Sequence, residues 1–237
     1  MSHKKWRYAL IMLLAASSHS IAQQTDDFMT EVELGATFTS GNTEERTVRY
    51  GVTMDWLREQ WEYQFTSDGL LGSREGKTTA QRFYHVARGR RELSENSYLA
   101  IRGSFEDDRF SGYDYQADFT ASYGHHWLRS IDNMSLDTDI GPGYRQSESD
   151  EANLSEFIIR MAGEYEWGIS DTANFYQDVA LEFGQDSNIF RSETGIESEI
   201  MENISLRFSI NIKHQTEVPS GKEKTDTQSA VTLVWNF

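Results

Sequence analysis

The chain ends with Ser229–Phe237, SAVTLVWNF, in which apolar and polar side chains alternate. The apolar members of the alternation stand at every second position: Val231, Leu233, Trp235 and Phe237. Successive side chains of a β-strand point to opposite faces, so this period of two predicts a strand with one apolar face. If the chain forms a β-sheet, the same alternation should recur in earlier segments.

The same period of two recurs in Arg46–Leu57, Tyr113–Tyr123, Phe157–Trp167 and Ile204–Lys213. We predict about twelve strands, which begin near Glu31, Arg46, Trp61, Gln81, Ser97, Tyr113, Met134, Leu154, Ala173, Asn188, Ile204 and Thr225. An even number of strands of roughly 9–11 residues is typical of a transmembrane, antiparallel, up-and-down β-barrel. The predicted fold class is therefore all-β. For the fourth strand, around Arg82–Arg90, the sequence does not decide which face points inward.

The predicted connections differ in length. Longer polar connections are predicted at Asp68–Thr79, Glu106–Gly112, Arg145–Asn153 and Thr216–Thr227, and most of the others are tight. Short periplasmic turns opposite longer external loops are the asymmetry expected of such a barrel. The chain has two prolines, Pro142 and Pro219, and we expect both at strand ends or in loops, where a missing N–H is tolerated.

The first 22 residues have the pattern of a secretory signal peptide. Lys4, Lys5 and Arg7 precede a short apolar run, and Ser20 and Ala22 suit a cleavage site. The apolar run is too short for a membrane helix, which needs roughly 20 apolar residues. We predict a signal peptide at residues 1–22 and a barrel domain at residues 23–237.

Net charge narrows the range of partners. The predicted leader removes three basic residues and no acidic ones, which leaves 19 Lys and Arg against 38 Asp and Glu. This excess of acid argues against nucleic acid as a partner, because nucleic-acid binding needs a basic surface. There is no Cys, so disulfides and thiolate metal sites are excluded. The mean hydropathy of −0.63 would suggest a water-soluble protein, but a membrane barrel also averages to polar.

Five tryptophans follow the predicted leader: Trp56, Trp61, Trp127, Trp167 and Trp235. Each stands at the end of a predicted strand that would lie at one rim of the barrel. Tryptophan favours the membrane–water interface, so we predict a periplasmic aromatic girdle. The competing fold is a lipocalin-like soluble barrel, which has about eight strands and an apolar interior.

The predicted inner face is rich in charge. Its members include Asp55, Asp114, Asp118, Asp137, Asp139, Arg160, Glu164, Asp178, Glu182, Glu193, Glu197 and Arg207. Glu106, Arg191 and Lys213 share that face. Carboxylates around a wet lumen would favour cations, which points to a narrow passage for small cations or polar solutes. Alternatively, the same charges pair across strands and fill a small barrel.

Catalysis has little support in the sequence. Outside the leader the histidines are His85, His125, His126 and His214, and no serine stands in a recognisable nucleophile motif. An outer-membrane lipid hydrolase that uses His85 is the weakest of the functional alternatives. The acidic runs near Asp107 and Asp150 lack the spacing of a Ca²⁺ loop. We therefore predict no catalytic residue, no metal site and no cofactor.

Three stretches carry a resemblance to a known family. They are Ser40–Thr43 (SGNT), Asp108–Gln116 (DRFSGYDYQ) and Gly141–Arg145 (GPGYR). With the terminal aromatic residue, they make the chain similar to the YdiY-like family of salt-induced outer membrane proteins. The resemblance implies an outer-membrane barrel in contact with lipid and associated with salt or osmotic conditions, and it implies no catalytic residues. The final Phe237 also resembles the signal read by the barrel-insertion machinery.

Overall fold

The computed structural model describes residues 27–39, 45–109, 111–149 and 153–237. The predicted leader and the SGNT stretch lie outside these residues. Twelve strands follow one another in the described residues. They are β1 (Asp27–Thr39), β2 (Glu45–Arg58), β3 (Trp61–Arg74), β4 (Lys77–Ser94), β5 (Ser97–Asp108), β6 (Tyr115–His126), β7 (Met134–Glu148), β8 (Asn153–Ser170), β9 (Ala173–Gly184), β10 (Ile189–Met201), β11 (Ile204–Gln215) and β12 (Thr225–Asn236).

Each strand pairs antiparallel with its neighbours in sequence, and β12 pairs with β1, so the sheet closes into a barrel. This confirms the predicted fold and the number of strands. The closing seam is paired from Glu31 opposite Asn236 to Leu34 opposite Leu233. The chain end adds to it, because the Phe237 N–H donates to the Thr30 carbonyl at 2.9 Å and the Thr30 N–H to the Phe237 carbonyl at 3.2 Å.

The connection between β3 and β4 corrects the predicted loop at Asp68–Thr79. The strands continue to Arg74 and restart at Lys77, which leaves a turn of two residues. Glu75 and Gly76 both have positive φ, 49° and 75°, as the tight turns favoured in β-hairpins require. The polar composition suggested a loop here, but pairing with β2 extends β3 to Arg74, and pairing with β3 starts β4 at Lys77.

Pro142 is the second correction, because it lies inside β7 opposite Ile159 on β8. The β6–β7 ladder is interrupted at this point, between the pairs Thr120–Gly143 and Tyr123–Ile140. A proline cannot donate to the ladder, so it is tolerated where the pairing already breaks. Pro219 lies in the loop after β11, as expected.

The two faces of the barrel are inverted relative to a water-soluble protein. Large apolar side chains stand exposed on the outside, for example Phe157 at 74% and Phe119 at 57%. Among the described residues, the buried set contains 19 polar side chains and six apolar ones. A lipocalin-like barrel would show the opposite arrangement. No helix in the described ranges is long and apolar enough to cross a membrane.

Candidate functional site: the barrel interior

The barrel has two rims, which we name by their contents. The terminal rim holds the start of β1, the end of β12 and the turns β2–β3, β4–β5, β6–β7, β8–β9 and β10–β11. The loop rim holds the opposite strand ends and, among the described residues, 111–114, 185–188 and 216–224. The structure also settles the phase of β4. Arg82, Arg88 and Arg90 point inward, since each forms an ion pair with an inward carboxylate, and His85 points outward.

A cavity of about 810 Å³ lies on the side of the terminal rim, and we call it the vestibule. Its walls carry nine carboxylates: Glu31, Glu33, Asp55, Asp68, Asp132, Glu166, Asp178, Glu193 and Glu197. Only two basic side chains, Arg49 and Arg207, line the same cavity. Such a wall concentrates cations and repels anions, because the low-dielectric barrel focuses the field of the fixed charges.

A second cavity of about 490 Å³ extends toward the loop rim, where Asp108 and Asp226 line it, and we call it the upper chamber. Asp178 and Glu193 line both cavities, so the two spaces meet at these side chains. The upper chamber is mixed in charge. Its basic members are Arg82, Arg160, Arg191 and Lys213, and its acidic members are Asp108, Glu164, Asp178, Glu193 and Asp226.

Arg207 on β11 contacts three carboxylates from two strands, β1 and β10, at one wall of the vestibule. Its Nη1 lies 2.8 Å from Glu31 Oε1 and 3.1 Å from Glu33 Oε2, and its Nε lies 2.9 Å from Glu197 Oε2. One guanidinium thus faces three carboxylates. Arg49 lies 3.7 Å from Glu33 and is the second cation at this wall. Ion pairs fix the positions of the side chains on this wall, yet the carboxylates still outnumber the arginines.

A second ion-pair group joins side chains of β4, β7 and β8. Arg90 Nη1 lies 2.9 Å from Asp137 Oδ2, and its Nη2 lies 3.2 Å from Glu164 Oε2. Its guanidinium carbon also lies 4.2 Å from the centre of the Tyr98 ring. His126 completes the group, with Nδ1 at 2.6 Å from Asp137 and Nε2 at 3.2 Å from Glu92. His126 is therefore held as a structural residue at the terminal rim.

A third group crosses the lumen. Glu106 on β5 receives Arg191 Nη2 at 2.7 Å and Lys213 Nζ at 2.8 Å, and Arg82 Nε lies 3.4 Å away. Lys213 also donates to the side-chain oxygen of Gln116 at 3.2 Å. In the ring of twelve strands β5 lies opposite β11, and so these contacts span the barrel. We call these five residues the Glu106 bridge.

Contacts above the bridge continue to the loop rim. Gln215 Nε2 donates to the Tyr113 hydroxyl at 3.1 Å, and that hydroxyl donates to the Glu217 carbonyl at 3.3 Å. Burial raises the pKa of the Tyr113 hydroxyl, which keeps it a neutral donor. Tyr113 stands at the predicted start of the sixth strand, but it precedes β6 and is buried, because its contacts with the loop after β11 override the strand alternation. Gly112 approaches Pro219 so closely that an added Cβ would meet the proline Cβ at 3.0 Å.

Several predicted inner-face residues take part in these groups or line the cavities. Asp55 accepts from Gln64 at 2.9 Å, Asp118 from Arg102 at 2.5 Å, and Asp139 from Arg160 at 3.2 Å. Asp114 differs, because it lies just before β6 and is exposed. Arg145 was not predicted to lie on the inner face, because it fell in a predicted loop. Arg145 lies an even number of residues after Asp137 and Asp139, and this shared face of β7 could have predicted that it points inward.

The five tryptophans predicted to form a girdle all lie at the terminal rim. Trp56 and Trp61 each lie against Tyr63, with ring centres 5.5 Å and 5.7 Å apart. Trp127 follows β6, Trp167 pairs with Met134, and Trp235 pairs with Val32 and Ile204. Four of the five are more than a third exposed: Trp56, Trp61, Trp127 and Trp167. Phe237 is 69% exposed at the same rim.

The histidine considered for catalysis, His85, faces the outside of the barrel. Its ring stacks on Phe65 with centres 6.5 Å apart, and its buried Nδ1 has no hydrogen-bond partner among the described residues. Within the described part of the chain, no group of three or more His, Asp or Glu side chains is placed to hold a metal ion.

The closed twelve-strand barrel, with its apolar exterior and charged interior, defines an outer-membrane β-barrel protein. Solved structures of that class share the fold. The COG4313 outer membrane channel from Pseudomonas putida F1 matches with a TM-score of 0.52 and 12% identity, over 91% of this chain and 97% of that chain. The translocator domain of the autotransporter NalP from Neisseria meningitidis gives 0.51 and 10%, over 89% and 87%. The KdgM porin in complex with disordered oligogalacturonate gives 0.50 and 8%, over 87% and 99%.

The chain belongs to the family described as Protein of unknown function, DUF481, whose model matches residues 32–237. A relative, Uncharacterized protein YdiY from Escherichia coli (strain K12), is 26% identical over 234 residues. That match covers 95% of this chain and 92% of the relative. The family resemblance carried by the quoted motifs is thereby confirmed. The structural likenesses, all under 25% identity, concern the fold alone.

Proposed function

We propose that the protein is a narrow, cation-preferring passage for ions or small polar solutes across the outer membrane. The observation that carries the proposal is the pair of cavities that meet at Asp178 and Glu193. The vestibule, with nine carboxylates against two arginines, draws cations toward that junction. The fold, shared with an outer membrane channel and a porin, suits this role.

The association with salt or osmotic conditions belongs to the same proposal. Fixed carboxylates attract counter-ions over a Debye length of about 10 Å at 0.1 M salt and about 3 Å at 1 M. The cation preference of an acidic passage therefore weakens as external salt rises. This link predicts selectivity that is greatest in dilute medium.

Planar-bilayer conductance of the purified full chain tests the passage. Folding is checked first by heat-modifiable migration, since a folded barrel and a boiled one migrate differently. The proposal expects measurable current with a reversal potential that favours K⁺ over Cl⁻ in a salt gradient. Absence of current at high protein load, from protein that shows heat-modifiable migration, would refute it.

A structural barrel that presents its loops without transport is the second candidate. The Glu106 bridge and the packing of Gly112 against Pro219 favour it, because both reduce the open cross-section near the loop rim. The conductance experiment decides between the two functions. The outward orientation of His85 gives the hydrolase alternative no support.

Export and insertion complete the proposal. Residues 1–22 act as a cleavable signal peptide, residues 23–237 form the mature barrel, and Phe237 is read by the barrel-insertion machinery. Replacing Phe237 with Ser should reduce the amount found in the outer membrane while refolding into detergent proceeds. Phe28→Ser is the matched control, because Phe28 is also exposed, at 60%, but lies at the other end of the chain. Equal assembly of both variants would contradict this role of Phe237.

A further inference from the structure

We propose that the Glu106 bridge determines the bore and the charge preference of the passage, an inference that rests on the proposed function. The bridge joins opposite walls: Glu106 and Gln116 on one side, Arg191 and Lys213 on the other. Since β5 and β11 are the most distant strands in the ring, side chains that meet across this distance occupy the lumen between them. The open path is thereby confined to the part of the barrel beside the bridge.

Burial shows that the bridge is closed to water on its acidic side. The Glu106 side chain is 3% exposed and that of Lys213 is 10% exposed. Above it, the Tyr113 hydroxyl, just before β6, receives Gln215 Nε2 from β11 at 3.1 Å, so the partition continues to the loop rim. The bridge is therefore the lower part of a wall that divides this half of the lumen.

The passage meets the cationic side of the bridge. Arg82, Arg191 and Lys213 line the upper chamber, whereas Glu106 does not appear on its walls. Glu106 thus offsets part of the charge of three cations that face the permeating ion. Loss of this one carboxylate would widen the lumen and raise the net positive charge at the bridge.

Two substitutions test the proposal with opposite expected signs. Glu106→Gln frees three cations from their common carboxylate and should increase single-channel conductance while lowering the K⁺ over Cl⁻ permeability ratio. Lys213→Gln removes one cation, also loosens the contact between the walls, and should raise that ratio. One unit charge roughly 8 Å away in water changes the local concentration of each ion by about twofold, in opposite directions for K⁺ and Cl⁻. Glu95→Gln, in an exposed turn of the terminal rim, is the control and should leave both quantities unchanged.

Each result bears on one proposal or both. Wild-type current with unaltered conductance and ratio in both variants would overturn the bridge and leave the passage intact. A silent wild type with a conducting Glu106→Gln variant would support the bridge as a closed barrier and overturn the proposed constitutive passage. Silence of all three heat-modifiable proteins would overturn both. If Glu106→Gln fails to fold, Lys213→Gln carries the test alone, and a ratio that does not rise refutes the proposal.

Discussion

Arg145 Nη1 donates to Glu182 Oε2 at 3.1 Å, and each side chain is 2% exposed. The same guanidinium donates through Nε to Glu156 at 3.0 Å and through Nη2 to the Ser187 carbonyl. Glu156 in turn accepts the Asp186 N–H at 2.8 Å. One arginine therefore binds carboxylates of β8 and β9 and a carbonyl of the loop between β9 and β10.

We expect Arg145→Met to lower the free energy of unfolding by about 3–5 kcal/mol, because it leaves two buried carboxylates without their cation. Arg145→Lys should lose less, since it keeps the charge but not the forked geometry. Urea unfolding from lipid vesicles measures the change. The control is Arg129→Met, whose exposed pair with Glu92 at 3.9 Å should contribute at most about 1 kcal/mol. An Arg145→Met loss no larger than that of the control would contradict the assignment.

Asp178 lines both cavities, so its charge should influence every ion that passes between them. Asp178→Asn should lower the K⁺ over Cl⁻ permeability ratio, because one unit charge roughly 8 Å away in water changes the local concentration of each ion by about twofold and in opposite directions. Reversal potentials in a salt gradient provide the measurement. Asp171→Asn alters the same charge in an exposed turn and should have no effect. A larger shift for Asp171→Asn would place the route elsewhere.

Gly141 sits where the β6–β7 ladder is interrupted and where the backbones approach closely. An added Cβ would lie 2.0 Å from the Ala121 carbonyl oxygen and 2.5 Å from the Ser122 Cα. Gly141→Ala should destabilise the barrel by about 1–3 kcal/mol, the usual cost of overpacking. Gly163→Ala is the matched control, because its nearest neighbour atoms are 3.9 Å away. We expect the folded band of Gly141→Ala to disappear at a lower temperature than that of the wild type. The folded band of Gly163→Ala should persist to the wild-type temperature.

The tryptophans should report their depth in the bilayer. With five tryptophans at the terminal rim, we expect strong fluorescence quenching by lipids brominated near the headgroup and weak quenching by bromines near the chain ends. Replacing Trp61 and Trp167 with Phe should reduce the signal without changing this depth profile. Maximal quenching from the bilayer centre would show that the proposed girdle does not lie at the interface.

The inner face illustrates how far sequence reasoning reaches. Inward orientation of Asp178, Glu193 and Arg207 follows from the period of two, which is a local property of a strand. Tyr113 does not follow the period of two, because it lies outside β6 and contacts the loop after β11. The phase of β4 was open in sequence because both faces carry charged or aromatic residues, and the inward partners Glu62 and Glu164 decide it in space.

The presence and order of the twelve strands, Ser229–Phe237 among them, were determined by sequence alone, since alternation depends only on neighbouring residues. The excess of inward acid also followed, because it needs only the composition of one face. Which charges meet across the lumen was decided by the tertiary structure. Closure into a ring of twelve places β5 opposite β11, so Glu106 meets Lys213 although 107 residues separate them in the chain. A pattern with a period of two carries no information about partners at that distance.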